Sequence, residues 1–307
     1  MELRQLRHFV AVVDKGNLSR AADRVAISQP ALTRSIKNLE ETLGVELLER
    51  KPRGVVPTEA GVALYHHAKM VLNDCARLTT DVRAFQRGLS GTVQVGIAAM
   101  FASHIVDSVA LELSAKQPGV SMVISQGFFE ELVRELIDGR LDLMFSNFPA
   151  VAMPAEVTVE TLYSVVSSIV VGDGHPLFKR RNIGKTDLVE QRWVVADQPH
   201  AKDFLEQFFA RDGLPVPRAV VRTNSLGLMM SLLTSGQFIT AMPEHLLARE
   251  FAARTVRRLP LSDGSVTRKA GLIYRSGGVE RQAVQLFLAE VRAVCAAQVR
   301  AQTGVKT

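Results

Sequence analysis

The chain has 307 residues, 47% of them hydrophobic, and carries a net charge of +6 with a pI near 9.5. That length implies two or three compact units, and the apolar content excludes a disordered chain. The basic balance favours phosphate-bearing partners, and no apolar run reaches the roughly 18 residues of a membrane span.

The first predicted helix carries an apolar face of Leu3, Leu6, Phe9, Val10 and Val13. Residues 17–44, NLSRAADRVAISQPALTRSIKNLEETLG, then read as two short helices joined by a tight turn. Asn17 can cap the first of the pair, and Ala21 and Ala22 are small enough for close helix approach. Ser28 can cap the second, with Pro30 in its first turn, where a missing N–H costs nothing. Leu32, Ile36, Leu39 and Leu43 recur four, three and four apart, forming one apolar stripe. Gln29, Thr33 and Lys37 form a second row with Arg34 beside it. A glutamine suits adenine, an arginine guanine and a lysine phosphate. An ordinary helical hairpin with a solvated polar face has the same pattern. What distinguishes the two is the next stretch, ELLERKPRGVVPTEAG (46–61), which reads as a small hairpin turning at Arg53-Gly54. Its basic tip holds Arg50, Lys51 and Arg53. Three helices and a basic wing make a winged helix-turn-helix, the second helix of the pair entering the DNA major groove. Residues 1–58 hold ten Lys and Arg against seven Asp and Glu, so where the cations sit matters more than their excess.

Residues 1–88 resemble the N-terminal region of LysR-type transcriptional regulators, most specifically in ISQPALTRSIKNLEETLGVELLER. Leu48 stands where that family usually has Phe, and Thr33 where it usually has Ser. The resemblance implies DNA contacts from Ser28, Gln29, Pro30, Thr33, Arg34, Lys37, Arg50 and Arg53, within a DNA-binding domain spanning 1–58 (helix-turn-helix about 18–37).

Residues 59–89 follow as one long helix. Leu64, Ala68, Val71, Cys75, Leu78, Val82 and Phe85 recur four and three apart, the heptad spacing of a coiled-coil seam. A helix packed on its own domain would show the same spacing. In the resembling family this segment is the linker helix that pairs two subunits, which implies a homo-oligomer, a dimer of dimers.

From Gly91 the pattern changes to short apolar strands alternating with helices, which predicts parallel sheets with helices on both faces. Strands are expected at 92–98, 120–126, 141–146, 192–197, AVVRTNS, 238–243 and 267–275, with a closing helix at 279–301. LIDGRLDLMFS, VVGDGHPL and FITAMPEHLL resemble signatures of the same family. The resemblance implies an α/β, two-lobed, periplasmic-binding-protein-like effector domain over 90–307, one lobe formed by 91–163 with 267–302 and the other by 164–266. Ligands on such folds bind beyond the carboxyl ends of the strands, where helix N-termini present N–H groups. Four segments qualify: 98–104, 125–129, 196–202 and 222–227. The resemblance carries the effector cleft onto those positions, with Met100, Phe101, Ser103, Gln126, Phe128, Asn147, His200, Thr223 and Asn224 as candidate lining residues. Amides and hydroxyls beside large apolar groups suit a small organic acid with an apolar or aromatic body. Each also has a plainer role, such as lobe packing for Phe101 and Phe128 or a helix cap for Ser103.

Enzyme motifs are lacking: the sequence has no Gly-rich phosphate loop, no G-x-S-x-G elbow and no histidine pair at zinc spacing beside a carboxylate. No cofactor or metal is expected. Cys75 and Cys295 are far apart in sequence and imply no disulfide framework. The N-terminus has no signal-peptide character, so a cytoplasmic protein is expected. The sequence therefore predicts a regulator that binds double-stranded promoter DNA, responds to a small-molecule effector, and has RNA polymerase as a further partner. An effector-blind architectural DNA binder would leave residues 91–307 unexplained, and a solute-binding protein would leave residues 1–58 unexplained.

Overall fold

The computed structural model describes residues 1–52, 54–86, 91–98, 105–148, 153–180, 182–197, 199–217, 219–247, 255–261, 264–276 and 281–303; side chains at 199–204, 219–220, 245, 247 and 298–303 are not among those described. Three helices open the chain: α1 (Leu3–Lys15), α2 (Leu18–Arg24) and α3 (Gln29–Leu43). They bury Leu6, Phe9, Val12, Ala21, Ala22, Leu32, Ile36 and Leu39 in one core. Asn17 Oδ1 accepts the Arg20 N–H (3.1 Å) and Ser28 Oγ the Ala31 N–H (3.4 Å), so both helices of the pair start on their expected caps. Leu3 and Leu43, expected on the apolar faces, are exposed, because the outer turns of α1 and α3 extend past the core.

Strands β1 (Leu48–Lys51) and β2 (Gly54–Pro57) pair antiparallel as the wing. Gly54 sits at φ +139°, and a Cβ there would lie 2.2 Å from the Gly16 carbonyl oxygen. Only glycine lets the wing close on the end of α1, where the Val55 N–H also bonds Gly16 O at 2.9 Å. Glu40 of α3 accepts the N–H groups of Leu47 and Leu48, tying that helix to the wing.

Helix α4 (Glu59–Gln86) begins where Thr58 Oγ1 accepts the Gly61 N–H. Its expected seam divides in two. Ala68 is buried and Leu64 half-buried in the first core, because the start of α4 packs against α1. Further along, Val71, Leu78, Val82 and Phe85 are 41, 64, 58 and 82% exposed, with Cys75 half-buried between them.

The remaining chain builds a larger sheet. In order it contains β3 (Gly91–Ala98), α5 (Asp107–Lys116), β4 (Val120–Gly127), α6 (Phe129–Ile137), β5 (Leu143–Asn147), β6 (Val157–Gly172), a 3-10 turn (Pro176–Lys179), α7 (Lys185–Val189), β7 (Arg192–Ala196), α8 (Pro199–Ala210), β8 (Ala219–Thr223), α9 (Leu226–Thr234), β9 (Phe238–Pro243), α10 (Glu244–Leu247), β10 (Val256–Arg258), β11 (Ser265–Arg275) and α11 (Gln282–Thr303). The strand order is β4-β3-β5-β11-β6-β9-β7-β8, with β10 beside β6. β3 is parallel to β4 and β5, and β7 is parallel to β8 and β9. β6 and β11 run antiparallel to each other and to their other neighbours. The sheet is therefore mixed: the expected parallel pairing is present in each lobe, and β6 and β11 add antiparallel pairs to it. Alternating strands and helices signal parallel pairing only where a helix makes the crossover, and the link between lobes is made by two long strands instead.

Among the described residues four buried clusters pack on this sheet, and the two largest flank that link. Val95, Val109, Leu113, Phe145, Leu272 and Phe287 belong to the first, and Ile169, Trp193, Phe208, Phe209 and Ile239 to the second. β6 and β11 contribute to both, through Val165 and Ala270 on one side and Ile169 and Val266 on the other. Their register shifts between Ala270 and Gly271, where β6 accommodates Leu162 as an extra residue. A Cβ at Gly271 would lie 2.0 Å from the Glu160 carbonyl oxygen, so glycine is required at this bulge. A bulge bends and twists its strand pair, here at the junction of the lobes.

Candidate functional site

Burial of Leu32, Ile36 and Leu39 leaves the opposite side of α3 open. Gln29, Pro30, Arg34 and Lys37 are exposed there and Thr33 is half-buried, so the expected row stands free of the core. Arg50 is exposed on the wing, whereas Arg53 lies outside the described residues. Lys37 reaches Glu41 at 3.7 Å, an exposed pair one helical turn apart that is too weak to hold it. A helix with one polar face open along its length, beside a basic wing, has the form of a major-groove reader. Behind it, His8 of α1 bonds Ser35 of α3 through Nδ1 at 2.8 Å. Burial, with Arg4 and Arg7 nearby, pushes the His8 pKa below its ordinary value, so the ring stays neutral and orients α3 without adding charge. Sequence reasoning also missed Ser19 of α2, whose hydroxyl donates to Gln29 Oε1 at 2.9 Å. A hydroxyl in the first turn of α2 is the only signal the sequence offered.

A second set of polar contacts joins α4 to the first lobe. Asp138, after α6, is almost fully buried; its Oδ2 accepts from Lys69 Nζ at 2.7 Å and its carbonyl from Asn73 Nδ2 at 2.7 Å. Asp142 is equally buried and takes Arg77 Nη1, Arg281 Nη1 (3.1 Å) and the Gln94 N–H (2.7 Å). Burial pushes the Arg77 pKa down while Asp142 opposes it, and Arg77 Nη2 meets no acceptor among the described residues. A cavity of about 260 Å³ opens beside these groups, lined by Asn73, Arg77, Thr80, Arg140 and Arg281 among others. Nothing in the sequence pattern marked Lys69, Asn73 and Arg77, because their partners lie some 65 residues downstream.

The expected cleft residues fall on the carboxyl edges of both lobes. Gln126 is exposed near the end of β4, Phe128 is half-buried as the N-cap of α6, and Asn147 is half-buried at the end of β5. β4 and β5 both pair with β3 in parallel, which brings these ends to one edge. In the second lobe, β7 and β8 pair Ala196 with Thr223, and exposed Asn224 follows. Thr223 Oγ1 accepts the Ser225 N–H (3.0 Å), and Ser225 Oγ accepts the Leu228 N–H (3.2 Å), closing the turn into α9. Asp197 and Arg222 pair at 2.8 Å on the same rim, a contact the sequence did not announce. Met100, Phe101 and Ser103 lie outside the described residues, as does the side chain of His200. The helix starts are not equivalent. α6 carries Glu130 and Glu131 in its first turn, which disfavours an anion there, whereas α9 has no acid in its first turn.

Among the described residues no three His, Cys, Asp or Glu are grouped to hold a metal, and no helix is long and apolar enough to cross a membrane. Cys295 is buried in the first lobe, where burial foremost, and Glu160 after it, push its thiol up to about 12.

Residues 3–62 match the family described as "Bacterial regulatory helix-turn-helix protein, lysR family", and residues 86–296 match the "LysR substrate binding domain". The chain is similar to the "HTH-type transcriptional regulator GalR" of Pseudomonas putida, 29% identical over 299 residues, 97% of this chain and 75% of that protein. It is also similar to a "Hydrogen peroxide-inducible genes activator" of Escherichia coli, 26% identical over 294 residues and 95% of each chain. The structure of full-length CbnR complexed with its target DNA superposes with a TM-score of 0.64 at 22% identity, over 96% of this chain and all of that one, a likeness of fold.

Proposed function

The chain belongs to the LysR family of transcriptional regulators, a DNA-binding regulator with an effector-binding domain, and on that premise we propose how its residues divide the work. α3 enters the major groove of an operator half-site, with Ser28, Gln29, Pro30, Thr33 and Arg34 toward the bases and Lys37 toward the backbone. Arg50 and Arg53 hold phosphates beside it. The observation that carries this reading is the division of α3 into a buried apolar face and an open polar one. Residues 1–58 form the DNA-binding unit, 59–89 the linker and 90–307 the effector domain, its lobes meeting on β6 and β11. Linker helices pair two subunits through the stripe from Val71 to Phe85, and two such dimers assemble on a bent operator. Bending DNA by 40–90° over a short site costs on the order of 1–6 kcal/mol. An effector coupling of typically 1–3 kcal/mol is enough to shift that bend, and with it the access of RNA polymerase. The protein acts in the cytoplasm and without catalysis.

For the DNA half, Arg50→Ala is expected to weaken binding to specific and random duplexes alike. The slope of log affinity against log salt should fall by about one unit. Equal slopes for wild type and variant in salt titrations by fluorescence anisotropy would remove Arg50 from the phosphate contacts.

For the effector half, the amides at 126 and 147 with Phe128 on one lobe, and the amide at 224 on the other, favour a small organic acid with an apolar body. Ligand binding, rather than thiol oxidation, is the favoured input. Oxidation by peroxide needs a thiolate, and Cys295, the one cysteine of residues 90–307, is held protonated by burial. A thermal-shift screen against benzoate, phthalate, malonate and related acids tests this. At a hundred times its dissociation constant a ligand stabilises the folded state by about 2.7 kcal/mol. The expected result is a rise of several degrees with one acid that disappears in Asn224→Ala. A rise that survives both Asn224→Ala and Phe128→Ala would place the ligand elsewhere.

A further inference from the structure

We propose that Ser19 is a positioning residue for base recognition. It holds the Gln29 amide in one place, so that each half-site is read as adenine rather than guanine at the base pair Gln29 meets. The inference rests on the reading that Gln29 faces the bases. Its basis is the 2.9 Å hydrogen bond from Ser19 Oγ to Gln29 Oε1, two exposed side chains from different helices meeting at the start of α3. The surrounding backbone is held as well: Asn17 caps α2, Ser28 caps α3, and Pro30 follows Gln29 directly.

An unrestrained glutamine side chain rotates freely and can turn its amide end for end, and fixing it on binding costs rotamer entropy. A serine hydroxyl can donate to Oε1 or accept from Nε2, so the contact with Ser19 fixes the place of the amide rather than its end before DNA arrives. A carbonyl oxygen has two lone pairs, so Oε1 retains one for a base. Adenine presents N7 as an acceptor and N6–H as a donor in the major groove, matching Nε2–H and the remaining lone pair of Oε1. Guanine presents two acceptors, N7 and O6, so an amide held in place sets one of them against Oε1 whichever way it is turned. Without Ser19 the amide can swing its nitrogen toward O6, and guanine becomes tolerable.

The test is selection from a randomised half-site duplex library by the full-length protein, run with wild type, Ser19→Ala, Ser19→Thr, Gln29→Ala and Ser19→Ala/Gln29→Ala. Gln29→Ala should remove the preference at one base pair. Ser19→Ala should reduce adenine-over-guanine discrimination at that same pair by about threefold to tenfold, leaving the other positions and binding to random DNA unchanged. Ser19→Thr, which keeps the hydroxyl, should restore it. In the double variant the serine change should add nothing at that pair. Ser19→Ala keeping the wild-type preference at a pair that Gln29→Ala alters would overturn the proposal, and so would equal weakening on every sequence. A Gln29→Ala profile identical to wild type would instead overturn the reading of Gln29 as a base reader, and the proposal with it.

Discussion

Asp142→Ala is expected to lower the melting temperature of the full-length protein by about 10 °C, since removing one partner of a buried ion pair costs about 3–5 kcal/mol and each kcal/mol is worth about 2–4 °C in a domain of this size. The carboxylate is almost inaccessible and serves three elements at once: Arg77 on α4, Arg281 at the start of α11 and the Gln94 N–H on β3. Its loss leaves two guanidinium groups and a backbone donor without their shared acceptor, in a place where Arg77 Nη2 already lacks one among the described residues. Asp142→Asn, which keeps an acceptor for the Gln94 N–H but removes the charge, should fall between. Arg77→Ala separates the interdomain share, because it breaks the tie to α4 and leaves Asp142 bonded within the lobe. Differential scanning calorimetry reads all three. An Asp142→Ala transition within about 2 °C of wild type would remove the carboxylate from the forces that hold this lobe, and an Arg77→Ala transition that close would mean that the Arg77 pair does not hold α4 to it in solution.

That junction also marks where sequence reasoning reached its limit. Helix periodicity exposes which face of α3 is buried, because Leu32, Ile36 and Leu39 are set by one local repeat. The same repeat cannot say which partner covers it. In α4 a single heptad stripe serves two ends: Leu64 and Ala68 pack toward α1, while Leu78, Val82 and Phe85 stand uncovered within one chain. Asp138 and Asp142 fall in a stretch recognisable as a family signature, yet their roles come from α4 and α11, far off in sequence. The mixed sheet was hidden for a related reason. β11 looks like an ordinary apolar strand and β6 (Val157–Gly172) is not among the expected strands; only their pairing, with its bulge at Gly271, makes them the link between lobes. In the candidate cleft the strand ends were legible from the strand–helix alternation. The acids in the first turn of α6 and the Asp197–Arg222 pair, which decide where an anion is welcome, matter only once the ends are brought together.

Leu78→Asp is expected to convert the protein to monomers at micromolar concentration and to reduce operator affinity at least a hundredfold. Leu78 is 64% exposed at the centre of a stripe that runs from Val71 to Phe85, and Val71, Val82 and Phe85 are exposed beside it. Four such residues on one face of a 28-residue helix form the kind of contiguous apolar surface that soluble monomers rarely leave open. Burying a leucine of this kind is worth about 1.5–3 kcal/mol per side chain. A dimer buries two, and aspartate at the same place sets two carboxylates against each other across the seam. The opposite face of the helix is already committed through Lys69, Asn73 and Arg77, so α4 cannot roll to hide the stripe. DNA affinity falls with dimerisation because one helix-turn-helix contacts a single half-site, whereas a dimer binds two with the second at high effective concentration. Sedimentation velocity and operator binding on the same preparation separate the causes. A variant that stays dimeric yet loses the operator would place Leu78 in the DNA-binding geometry rather than the seam. A variant that stays dimeric and binds normally would assign dimerisation to another surface of the chain, leaving the stripe on α4 without that role.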